Sequence, residues 1–326
     1  MPHSPTNADF TDTGILIVAY RRFKNLEDIF QRCRDAGFER FFFHIDRPSP
    51  NNLDAYQDHN QVISTIHKLQ SLTKSKFGIK ITEQNQGCAV SVISATDWAF
   101  STSIKNLIIF EDDCLPTKAF FDFYKIGIVE VETNPNIWLL CGTQFAPENI
   151  THKNLLISRY ALTWGWATSH SRWTEIRSLF YKYKNFWWKD LLSVNPEMSF
   201  WYAGSRRARY GFTDVWDTIL LQGMLDSSKF ALLPPRSLVS NLGNDSVASH
   251  VSKASAWTKT VSERALDCSN SFEVNLKVDD WLRKFFFDIR FRHVFTTKLT
   301  LILDLLFLFG SRRKFKSQLS ERLADI

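Results

Sequence analysis

Three consecutive carboxylates, Glu111-Asp112-Asp113, follow directly on the apolar run at 106–110, NLIIF. Like charges this close repel. Their oxygen donors suit hard divalent ions such as Mg²⁺ or Mn²⁺, which bind through one or two carboxylates plus substrate phosphates. The chemistry on offer is a cation bridging a diphosphate. A solvated acidic turn, or acids gathered before a helix starting near Thr117, is the other reading of the same residues. Two more charged groups close apolar runs: Arg21-Arg22 after ILIVAY at 15–20, and Asp46 after RFFFHI at 40–45. An arginine there can meet phosphate or base, and an aspartate can accept from ribose hydroxyls or a base N–H. A surface arginine and a turn-forming aspartate before Pro48 are the plainer alternatives. The chain contains neither GxGxxG nor GxxxxGK[ST], so phosphate work falls to the cation rather than to a glycine-rich cradle.

The elements that must position these groups can be read from periodicity. Short apolar runs at 15–20, 40–45, 78–82 and 106–110 predict strands. Helices are predicted over 25–35, 60–72 and 87–100, the last with Ala89, Val92, Ile93 and Phe100 on one face. Strands alternating with helices predict an α/β fold, a Rossmann-like, mostly parallel wound sheet flanked by helices, with ligands at the carboxyl ends of the strands. Further on, 137–141 and 230–233 read as strands and 216–225 as a helix. WGWAT at 164–168 reads as an aromatic-glycine loop and 241–250 as a polar loop. A nucleotide-binding half (14–145) and an acceptor half (146–250) then form one domain over 1–250, followed by a linker (251–280) and a tail (281–326).

The 326 residues carry 40 Lys and Arg against 34 Asp and Glu, a formal charge of +6, with 44% apolar residues for a core. From Trp281 to Ile326 there are ten basic and four acidic residues, so residues 1–280 are neutral. A nucleic-acid-binding main domain would carry its own positive surface, and is excluded on that ground. The tail interleaves Phe285–Phe287, Phe291 and Leu299–Phe309 with Arg and Lys, the composition of a helical anchor on anionic lipid; a helix packed on the domain or on a dimer partner is the alternative. Five scattered cysteines without a CxxC pair fit a reducing compartment. With a polar N-terminus and no stretch of about 20 apolar residues, the expectation is a cytoplasmic protein, peripheral at the membrane's inner face.

The succession ILIVAYRR, FFFHID, NQGCAVSVISATDWAF, LIIFEDDCLPTKAFFDFY and WLLCGT resembles the GT-A glycosyltransferases, of the N-acetylglucosaminyltransferase I kind and the bacterial nucleotide-diphospho-sugar transferases related to it. The resemblance covers about 14–250 and is most specific over 78–145. It implies that Asp113 is the direct ligand of Mn²⁺ or Mg²⁺, with Asp112 toward the ribose and Glu111 toward the donor sugar. It implies nucleotide contacts from Ala19, Arg21, Arg22 and Asp46, and a wall between donor and acceptor at Trp164, Gly165 and Trp166. His250 falls on a loop that approaches the metal or diphosphate in many such enzymes; an ordinary polar loop residue is its alternative. The Trp216-Asp217 pair matches the catalytic-base position. In N-acetylglucosaminyltransferase I, however, the base follows the Gly-Trp by about twenty residues, which here leads to Asp190. Asp190 and Asp214 therefore stay as rivals, and a helix-starting acid is the plain reading of Asp217.

The function implied is transfer of a sugar from a nucleotide diphosphate, a UDP-sugar such as UDP-N-acetylglucosamine, to a glycan or lipid-linked glycan hydroxyl in bacterial surface polysaccharide synthesis. A single carboxylate base opposite the leaving group gives direct displacement with inversion. Tryptophans 187, 188 and 201 suit an acceptor channel, and packing is their other use. Two other classes compete. A metal-dependent nucleotidyltransferase should show a glycine-rich loop after the first strand, where Tyr20-Arg21-Arg22-Phe23-Lys24 stands instead. An inactive membrane-associated adaptor should have lost the acidic triplet, which is intact.

Overall fold

The alternation of apolar runs and helical stretches builds a mostly parallel sheet covered by helices on both faces. The computed structural model describes residues 10–152, 154–181, 196–243, 261, 263–266, 271–286 and 318–324. Strands β1 (Thr13–Ala19), β2 (Arg40–Ile45), β3 (Lys76–Ile81) and β4 (Asn106–Glu111) run parallel in the order β3-β2-β1-β4. All seven residues of β1 are buried, as a parallel strand covered on both faces requires. Ile15, Ile17 and Ala19 join Phe41, Phe43 and Ile45 beneath α1 (Leu26–Asp35) and α2 (Leu53–Ser71). Leu16 and Val18 join Phe42 on the other face, beneath α3 (Gly87–Phe100). Because β2 and β4 lie on opposite sides of β1, the connections diverge at the carboxyl ends of β1 and β4 and leave a crevice there.

Beyond β4 the sheet departs from simple winding. β5 (Cys114–Pro116) leaves the main sheet and pairs antiparallel with β10 (Val239–Asn241), clasping the chain just after the acidic triplet. α4 (Lys118–Thr133) then leads to β6 (Ile137–Cys141), and the short α5 (Glu148–Thr151) to β7 (Leu155–Ser158). β8 (Trp166–Ser169) inserts antiparallel between β4 and β6, so the aromatic-glycine segment expected as a loop supplies a central strand. Four residues without an apolar run give no periodic signal. α6 (His170–Tyr181), α7 (Pro196–Arg209) and α8 (Asp217–Asp226) precede β9 (Phe230–Leu233), which lies between β6 and β7.

Part of the expected linker belongs to this domain. β11 (Phe272–Val274) pairs parallel with β7 at the sheet edge, and α9 (Leu276–Lys284) buries Val278 and Leu282. Asn275 caps that helix by accepting from the N–H groups of Lys277 and Val278. The two described pieces of the tail also pack inward. Phe285 and Phe286 gather around Phe145, and α10 (Gln318–Ala324) buries Leu319 and Leu323 in the core shared with α3. The segment 287–317, with Leu299–Phe309 and the Arg312–Lys316 cluster, lies outside the described residues. Among the described residues no helix is long and apolar enough to cross a membrane.

Candidate active site

A cavity of about 360 Å³ opens at the carboxyl ends of β1, β2 and β4. Val18, Ala19, Tyr20 and Arg22 reach it from β1, Asp46 from β2, Glu111, Asp112 and Asp113 from β4, and Asn85, Gly87, Cys88, Ser91 and Val92 from the α3 side. Trp164, Asp214, Asn241 and Gly243 complete the lining.

The acidic triplet divides its work. Asp112, 4% exposed, turns one oxygen onto the backbone N–H groups of Tyr20 (2.9 Å) and Arg22 (3.1 Å), which fixes the bend at the end of β1. The Arg22 guanidinium lies 3.4 Å from Asp112 Oδ1 and 3.3 Å from Asp113 Oδ2, a single cation between two carboxylates. Asp113 is held by its backbone: its carbonyl accepts from Leu242 N–H at 2.8 Å, beside the β5–β10 clasp. A Cβ on Gly243 would collide with the Asp113 carboxylate, so only glycine lets that loop approach. Burial, then the charges of Asp113, Asp112 and Asp217, pushes Glu111 up to about 8 against the pull of Arg22. Burial, then Asp112, pushes Asp113 up to about 6, again opposed by Arg22. One arginine does not neutralise this strand end.

At the opposite wall the carboxylates are satisfied. Asp46, 5% exposed, accepts from Thr82 Oγ1 (3.1 Å) and Gln86 N–H (2.7 Å) on one oxygen. Its other oxygen accepts from Asn85 Nδ2 (3.1 Å) and Gly87 N–H (2.9 Å). Burial still holds its carboxyl above the ordinary range, against the lowering effect of these hydrogen bonds. Asp214 accepts from the N–H groups of Cys88 (2.7 Å) and Ala89 (3.1 Å).

Of the residues singled out in the sequence, Ala19, Arg22, Asp46, Glu111, Asp112, Asp113, Trp164 and Asp214 come together here. Arg21 turns away: its guanidinium grips Asp58 of α2 at 2.8 Å, and it is not among the described residues lining the cavity. Trp166 also departs from its expected place in the wall. It is 2% exposed, on β8, and packs its ring against Trp173 and Trp216 in the core. Gly165 is buried at φ +65°, where a Cβ would crowd Val239 and Phe110, so it shapes the turn that presents Trp164. Asp217 stands exposed at the first turn of α8 with Oδ1 on its own Thr218 N–H at 2.8 Å, outside the lining but close enough to act on Glu111. Asp190, Trp187, Trp188 and His250 lie outside the described residues. The sequence reading missed Asn85, Cys88, Asn241 and Gly243. Their one signal was the clustering of turn residues, Asn85-Gln86-Gly87 before a helix and Asn241-Leu242-Gly243 after a strand.

Among the described residues no group of three or more His, Cys, Asp or Glu is arranged to hold a metal ion by itself. The triplet nevertheless has the donors a hard cation takes when substrate phosphates complete its shell: buried carboxylate oxygens, under-compensated in charge, facing a cavity.

No protein-family model matches the chain, and no curated protein matches it in sequence. Among solved structures it is similar to the inositol-1-phosphate CTP transferase from T. maritima, at 9% identity over 68% of this chain and 84% of that chain, with a TM-score of 0.35. A likeness this remote decides no residue's role.

Proposed function

We propose that this protein is a cation-dependent glycosyltransferase that moves a sugar from a nucleoside diphosphate, a UDP-sugar in the first instance, to an acceptor hydroxyl. The observation that carries the reading is the under-compensated Glu111-Asp112-Asp113 triplet, with Arg22 its one close cation among the described residues, lining the cavity at the carboxyl ends of β1 and β4. The GT-A resemblance in sequence, strongest over this same segment, supports it. Asp113, aided by Glu111, would hold Mn²⁺ or Mg²⁺; when bound, the ion neutralises charge developing on the diphosphate leaving group. Arg22 stands beside the same place and offers phosphate a second positive group. Asp112 keeps the end of β1 bent so that Ala19, Tyr20 and Arg22 face the nucleotide. Trp164 offers an aromatic face to a sugar ring.

Asp217 is the proposed base. It is exposed and near enough to Glu111 to act on it, whereas both oxygens of Asp214 are engaged by α3. It would accept the acceptor hydroxyl's proton as that oxygen attacks the anomeric carbon and the C–O bond to the diphosphate breaks, which inverts the centre. A lipid-linked glycan is the proposed acceptor. Contact with an anionic membrane is proposed for 287–317 alone, since Arg283 and Lys284 already pair with Asp280.

Product analysis tests the reading. With Mn²⁺ and a panel of nucleotide sugars, the protein should release nucleoside diphosphate, slowly to water and faster with glycan acceptors. Release of pyrophosphate from a nucleoside triphosphate and a sugar phosphate would place it instead among nucleotidyltransferases.

A further inference from the structure

The start of a helix at a sheet's carboxyl edge is the ordinary resting place for a ligand's phosphate, because its first N–H groups are unpaired and the helix dipole favours an anion. In this protein that place is taken. The N–H groups of Gln86 and Gly87 go to Asp46, and those of Cys88 and Ala89 go to Asp214. Gly87 has φ +72°, and a Cβ on it would collide with the Asp214 carboxylate, so the backbone is shaped to admit this side chain. The two aspartates come from different parts of the chain. Asp46 ends β2 in the nucleotide-binding half, whereas Asp214 belongs to the segment that leads from α7 into α8.

That segment has a second fastening. Trp216, 3% exposed, packs on Trp166 with ring centroids 5.1 Å apart. Asp217, the first residue of α8, follows directly on these two anchors in the chain. We infer that Asp214 is a positioning residue: it bolts the approach to α8 onto the start of α3, and so sets where Asp217 stands relative to the cavity. The two oxygens of Asp214, at the cavity lining, take up the Cys88 and Ala89 N–H groups, so it closes the start of α3 to phosphate and leaves the diphosphate to Arg22 and the acidic strand end. The catalytic consequence rests on the glycosyltransferase reading above; the fastening itself does not.

Hydrogen exchange on the full chain and steady-state turnover with a UDP-sugar and Mn²⁺ test this on the wild type, Asp214→Asn and Asp214→Ala. In D214A the Cys88 and Ala89 amides should exchange about tenfold faster, and peptides from 215–222 should loosen with them. D214N keeps one acceptor oxygen and should fall between. In turnover, D214A should lose about 100-fold in kcat with donor KM changed less than about threefold, and D214N should stay within about tenfold of the wild type. Unchanged exchange over 215–222 in D214A would overturn the inference, because the carboxylate would then fasten nothing. So would a D214N as inactive as D214A with normal exchange, because Asp214 would then handle the proton itself. If the wild type turns over no nucleotide sugar, the proposed function fails while the exchange result still decides the fastening.

Discussion

Asp46 and the Glu111-Asp112-Asp113 triplet end the two strands that flank β1 and line one cavity, yet they are in opposite condition. Asp46 has hydrogen bonds on both oxygens from four groups of the 82–87 segment. The triplet crowds three carboxylates around one guanidinium, and burial with mutual repulsion drives Glu111 and Asp113 toward protonation. Protein donors fix the Asp46 carboxylate in place. A carboxylate left short of positive charge is where a ligand belongs. Counting partners separates the two where residue type cannot.

Substitution should therefore act in opposite directions on the two walls. D113N should lower Mn²⁺-dependent turnover by about 1,000-fold or more, while the cation-free protein melts no lower than the wild type and somewhat higher, because one repelling charge is gone. Asp46→Ala should cost about 3 kcal/mol in denaturant unfolding, since it strands the buried Thr82 hydroxyl and the half-buried Gln86 and Gly87 N–H groups. A D113N less stable than wild type, or a D46A of normal stability, would collapse the contrast.

Titration sharpens it. Glu111 and Asp113 have native values above their ordinary ones, so they favour folding at low pH, and that contribution is lost as pH rises through about 6 and about 8. The cation-free protein should lose thermal stability over that window, and Mn²⁺ should restore it. His44 works on the acid side. Buried on β2 with no hydrogen-bond partner for either ring nitrogen among the described residues, it is held down to about 4 from 6.5 by burial and then by Lys80. The native state keeps it neutral, so stability is full above about pH 6.5 and falls by about 3 kcal/mol as pH drops toward 4. Denaturant titrations of His44→Leu should flatten the acid limb alone, and Mn²⁺ the alkaline limb alone.

The smallest effect belongs to one exposed contact of α10. Arg322 donates to the carbonyl of Gln86, the residue whose N–H Asp46 holds. Arg322→Ala should cost no more than about 1 kcal/mol in unfolding experiments, because the contact is exposed. Removing residues 318–326 should cost about 3 kcal/mol, through loss of the buried Leu319 and Leu323.

The parallel half of the sheet was legible because β1, β2 and β4 are apolar on both faces, and a strand of that kind announces itself without alternation. The acidic triplet was legible for the same reason: charge stands out after NLIIF. Arg21 and Arg22 could not be separated in sequence, since adjacent identical residues point opposite ways and only the bend fixed by Asp112 decides which faces inward. Trp164 and Trp166 pose the same problem across a glycine turn. β8 and β11 escaped notice because strands of four and three residues borrow their order from long-range neighbours. Asp214 was read as a possible base; its hydrogen bonds to N–H groups 125 and 126 residues away in the chain leave no local trace in the sequence.

Calorimetric titration of UDP into the protein, with and without Mn²⁺, tests the central claim most directly. The account predicts binding that is at least about tenfold tighter with the cation, with the difference abolished in D113N. Equal UDP binding with and without Mn²⁺, or a D113N that keeps the full cation effect, would contradict it.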